Sequence, residues 1–107
     1  AAIDEKVHAF THLSHVYAQG SSIYSTYIYR IASDPDEMHE RWYRLKSAVS
    51  QAIVEHGGTI SHQHGVGIDH APYLEAEKGA LGISTIKSAV AHLDPEGLMQ
   101  SNRRLLG

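Results

Sequence analysis

Val7–Tyr17 reads VHAFTHLSHVY and Ser21–Ile31 reads SSIYSTYIYRI. Both stretches are dense in Val, Ile, Tyr, Thr and His and contain no Pro, which is the composition of β-strands. Ala18-Gln19-Gly20 between them suits a turn, with Gly20 able to supply any positive φ. The pair therefore reads as an antiparallel hairpin. Period-two alternation puts Tyr24, Thr26, Ile28 and Arg30 on one face of the second strand, and Ile23, Ser25, Tyr27, Tyr29 and Ile31 on the other. Neither face is purely polar, so both are expected to be covered, one of them by a helix. On the first strand the same alternation gives His8 and His12 one face and His15 the other.

A helix start follows the hairpin. Asp34 suits the N-cap, Pro35 the first helical position, and Glu37 the third, which would complete a capping box. Met38, Trp42, Leu45, Val49, Ala52 and Ile53 then recur at helical spacing, giving an amphipathic helix of about six turns. His56 falls in its last turn and Gly57-Gly58 ends it. Thr59-Ile60-Ser61 suits a short strand, and His62–Asp69 a glycine-bearing loop with no long helix directly after it. Pro72–Lys78 suits a short helix closed by Gly79, and Ala80–Leu93 a further helix broken by Asp94-Pro95. The fold class is α+β: an antiparallel hairpin and a short strand, packed with one long and two shorter helices.

Composition narrows the function. The chain has 107 residues, 42% of them hydrophobic and 20% charged, which describes one small globular domain. A formal charge of −3 gives no electrostatic case for nucleic acid or an anionic membrane. There is no Cys, so disulfides and thiolate metal sites are excluded. No apolar run approaches the roughly 20 residues of a membrane span. Nine histidines are the anomaly. A single hairpin is thin for two covered faces, and the apolar residues of the tail, Leu98, Met99, Leu105 and Leu106, find no obvious partner. The chain is expected to be a piece of a larger protein or an oligomer.

Ser61-His62-Gln63-His64-Gly65-Val66-Gly67 carries the most chemistry. Two histidines one residue apart point the same way if the segment is extended, and could then bind a metal or exchange protons near neutral pH. Gly65 and Gly67 let a flat ligand approach the backbone. A tight turn with two surface histidines fits the same spacing. His8, His12 and His15 suit zinc only if another region closes on them, and a sheet facing another domain accounts for them equally. Tyrosine hydroxyls can orient a substrate, but most strand tyrosines fill a core. Asn102-Arg103-Arg104 suits a phosphate or a solvated terminus.

Together these segments resemble a family. Ser61–Gly67 is similar to the S-H-x-H-G-V-G stretch of alkyldihydroxyacetonephosphate synthases and their bacterial relatives. His12-Leu13-Ser14-His15-Val16-Tyr17 with Gly20 and Ile23-Tyr24 resembles the hairpin of the same group. Asp94-Pro95, Leu98-Met99 and Leu105-Leu106 resemble the ending of FAD-linked oxidase C-terminal domains. The resemblance runs from about Val7 to Leu106 and implies a larger two-domain flavoprotein of the vanillyl-alcohol-oxidase type. Residues 1–107 would be the C-terminal part of its substrate (cap) domain, and the FAD-binding domain would lie outside this chain.

By the same resemblance, Tyr24, His62 and His64 are the catalytic residues, and His62, Gln63, His64, Gly65 and Asn102 contact FAD. Gln63 stands where the family has the middle of three histidines; it keeps a hydrogen-bonding group but cannot exchange a proton. Ile68-Asp69-His70 stands where the synthases carry a basic residue after G-V-G, which counts against an acyl-glycerone-phosphate substrate. The first function implied is an FAD-dependent oxidoreductase acting on a hydroxy-bearing small molecule. The second is an FAD-dependent alkyl-ether-lipid synthase. A third, read from the histidines alone, is a metal- or partner-binding module. The expected partners are the substrate and the FAD-binding domain of the same protein, in the cytoplasm. The chain alone is expected to be inactive and open to self-association.

Overall fold

The computed structural model describes residues 5–99. Four elements follow in order: β1 (Val7–Tyr17), β2 (Gly20–Tyr29), α1 (Pro35–Glu55) and α2 (Gly67–Leu93). The arrangement is α+β, with one two-stranded antiparallel sheet. The chain divides into two compact units, Ala1–Ala48 and Val49–Gly107, and their boundary falls inside α1.

In the first unit β1 and β2 pair from Val7↔Tyr29 to Tyr17↔Gly20. The turn is only Ala18-Gln19; Gly20 already belongs to β2, and its φ is not positive. The register shifts between Leu13↔Ile23 and His15↔Ser22, leaving Ser14 as the extra residue of a β-bulge. An extra residue reverses the parity of everything beyond it on its own strand. His8 and His12 oppose Ile28 and Tyr24, and His15 opposes Ser22, all even-numbered positions on one face of β2. The expectation that His15 takes the opposite face is therefore corrected: all three β1 histidines share a face.

The expected covering of both hairpin faces is incomplete among the described residues. On one face Leu13 is 63% exposed and Ile23 65%; on the other Tyr24 and Ile28 are each 56%. Further along the first unit, α1 begins as its sequence indicates. The Asp34 carboxylate accepts long bonds from the N–H groups of Asp36 and Glu37, each 3.4 Å, and its carbonyl takes the Met38 N–H at 3.0 Å. The capping box is not completed. Glu37 instead reaches Arg41 at 2.6 Å, and Arg41 also binds Glu5 at 3.1 Å and the Arg30 carbonyl at 3.3 Å. These contacts tie the residues flanking the hairpin to the first turns of α1.

In the second unit α1 closes with a Schellman motif. Gly57, at φ 72°, donates to the Val54 carbonyl at 3.0 Å, and Gly58 donates to that of Ile53 at 2.8 Å. Thr59-Ile60-Ser61 is not a strand, which corrects the expected short strand. It pairs with no strand among the described residues, and the Ile60 N–H is used by the Glu77 carboxylate at 2.7 Å. α2 opens at Gly67, before the expected Pro72, so a helix does directly follow the glycine loop. Pro72 lies inside it and leaves the Ile68 carbonyl without its helical donor. Gly79, at φ 73° and ψ 162°, breaks α2 into two helical pieces at the expected glycine. Past α2 the Asp94 carboxylate accepts the N–H groups of Leu98 and Met99, both at 2.9 Å. The buried residues among those described are Ser50, Ile60 and Leu74, all in this second unit.

Candidate active site

The segment from Ile60 to Val66 links α1 to α2. Its base is fixed at Ile60, which is 9% exposed and bonded to Glu77. One residue on, the Ser61 hydroxyl donates to the His64 carbonyl at 2.7 Å and closes a turn around His62 and Gln63. His62, Gln63, His64 and Gly65 are all exposed. Because the chain bends here, the extended geometry that would align the two imidazoles is not the one adopted. A Cβ built on Gly65 or Gly67 would meet no atom within 4 Å, so the backbone between the histidines and α2 is open to a flat ligand. The first turn of α2 carries Asp69 and no Lys or Arg, and the His70 ring nitrogen Nδ1 lies 2.9 Å from the Val66 carbonyl.

Glu77 is the residue that pattern reading misses. Its side chain is 12% exposed and its carboxylate also meets Lys78 Nζ at 2.8 Å. Burial pushes this carboxyl up, but the Ile60 N–H and the Lys78 ammonium outweigh that and hold it below the usual 4.5. Glu77 is thus ionised at neutral pH, where a charged acceptor makes the stronger bond to Ile60. Nothing in the sequence marks it, since a glutamate between Glu75 and Lys78 reads as part of a solvated helix face.

Tyr24 belongs to the first unit. It sits directly across from His12, the rings stacked with centroids 5.2 Å apart, and it is 56% exposed. On the same face His8 lies 5.7 Å from Phe10, and His15 6.3 Å from Tyr17, so imidazoles and aromatic rings run along the sheet. Of the candidate residues, His62, Gln63, His64 and Gly65 are thus brought together in one turn of the second unit, and Tyr24 stands in the first. Asn102 lies outside the described residues. No three His, Asp or Glu side chains are grouped to hold a metal ion among the described residues, and none of the described helices is long and apolar enough to cross a membrane.

Residues 1–103 match the family described as FAD linked oxidases, C-terminal domain. The chain belongs to that family. Among the relatives of this FAD-linked oxidase C-terminal domain is the alkyldihydroxyacetonephosphate synthase of Trypanosoma brucei brucei, 27% identical over 88% of the chain and 15% of the relative. The glycolate oxidase subunit GlcD of Bacillus subtilis is 37% identical over 64% of the chain and 14% of the relative. The D-2-hydroxyglutarate dehydrogenase of Stutzerimonas stutzeri is 31% identical over 67% of the chain and 16% of the relative. The FAD-linked oxidase C-terminal domain described here thus spans about a seventh of the length of these relatives. No solved structure matches it.

Proposed function

We propose that this chain is the C-terminal part of the substrate (cap) domain of an FAD-dependent oxidoreductase acting on a hydroxy-bearing small molecule. The observation that carries the reading is the exposed His62-Gln63-His64-Gly65 turn, with open backbone beside it. Two of the relatives are named for hydroxy acids, which supports a substrate of that class. The FAD-binding domain of the same protein is the partner. His62, Gln63, His64, Gly65 and Asn102 are the residues of this chain that would contact the flavin. When bound, FAD supplies the two-electron acceptor. An imidazole of His62 or His64 takes the substrate hydroxyl proton as the carbon-bound hydrogen leaves and the C–O bond becomes a carbonyl. Gln63 hydrogen-bonds without titrating, and Tyr24 orients the substrate. In the full-length protein His64→Ala is expected to slow substrate-driven flavin bleaching by about 10²–10⁴-fold, the usual worth of a general base. An unchanged rate would remove His64 from this role.

A second reading is an alkyl-ether-lipid synthase, favoured by the Trypanosoma relative's match to 88% of the chain. Against it stands the exposed Asp69 in the first turn of α2, where a phosphate ester would meet a carboxylate instead of a base. Product analysis with an acylated glycerone phosphate and a fatty alcohol separates the two; ether product would favour the synthase.

A further inference from the structure

We infer that Glu77 is a positioning residue for the His62–His64 turn, acting from α2 through the backbone at Ile60. This rests on the proposed role of that turn. The chain leaves the Schellman closure at Gly57-Gly58, runs through Ile60, and at once enters the turn. Between those points it is anchored by the 2.7 Å bond from the Ile60 N–H to Glu77 Oε2. Ile60 is buried, so removing the carboxylate would leave its N–H without its bond partner. Glu77 reaches the turn through this backbone bond. Its effect is on where the turn begins, two residues before His62. Catalytic groups must be held to fractions of an ångström, and a displacement of about 1 Å costs on the order of 10²-fold in rate.

The test uses the full-length flavoprotein with Glu77→Ala, Glu77→Gln, Leu74→Ala and His64→Ala. Amide hydrogen exchange over residues 60–65 reads the anchor; flavin bleaching by glycolate and by D-2-hydroxyglutarate reads its consequence. Glu77→Ala is expected to speed exchange at Ile60 and to lower the maximal bleaching rate about tenfold or more, with little change in half-saturating substrate. Glu77→Gln keeps an oxygen acceptor and should restore most of both. Leu74→Ala removes a buried side chain of the same helix, so it should lower stability while leaving the bleaching rate near wild type. Unchanged exchange in Glu77→Ala overturns the inference. So does faster exchange with an unchanged rate, provided His64→Ala does slow the reaction, and so does an equal loss of rate in Leu74→Ala. If His64→Ala also leaves the rate unchanged, or neither hydroxy acid bleaches the flavin, the proposed function is what has failed. The exchange at Ile60 then decides alone whether Glu77 fixes the turn.

Discussion

Glu77 shows how one proton can matter to this chain. Its carboxyl is held below its ordinary 4.5, so its bond to Ile60 contributes fully above that value. The contribution is lost as pH falls through the lower folded value. Replacing Glu77 by Ala removes a charged hydrogen-bond acceptor and should cost about 1.5–3 kcal/mol at neutral pH, with the difference from wild type shrinking as pH falls below 4.5. Urea unfolding of the full-length protein at a series of pH values measures it. A constant difference across that range would show that the charge is not what matters. The sequence made Gly57-Gly58 legible, because helix ends have a local signature. Glu77 had none: its partner is 17 positions away and is a backbone N–H, which every non-proline residue carries.

The hairpin and the helices were readable as elements because alternation, the Asp34-Pro35 start and the helical spacing of apolar residues are local patterns. The bulge at Ser14 was not. Both faces of β1 mix apolar and polar side chains, so no residue type betrays the change of parity. Thr59–Ser61 failed for the opposite reason, since a strand is defined by a partner and local composition cannot supply one. The bulge makes a specific expectation. Deleting Ser14 should leave His12 across from Tyr24 and His15 across from Ser22, now in unbroken alternation. Cross-strand nuclear Overhauser contacts between His15 and Ser22 should survive the deletion. Their loss would place the extra residue elsewhere.

For the whole chain, the buried apolar side chains among the described residues are Ile60 and Leu74, while Leu13, Ile23, Ile28, Leu81 and Leu93 are all more than half exposed. Burying a large apolar side chain contributes about 1.5–3 kcal/mol, so these exposed residues represent stability the chain does not realise by itself. The isolated 107 residues should self-associate, with a mass by light scattering that rises with concentration, whereas the full-length protein should not show that dependence. A monodisperse monomer of the isolated chain would contradict this. The candidate site was legible only in pieces: the His62–His64 turn carries its motif, but its relation to Tyr24 is a matter of tertiary structure. The Glu77–Ile60 bond also closes the intervening chain into a loop clasped at its base. The exposed side chains of the His62–Gly65 turn can be exchanged without touching that clasp. Substitutions there would rewrite the chemistry of the turn and leave its clasp in place.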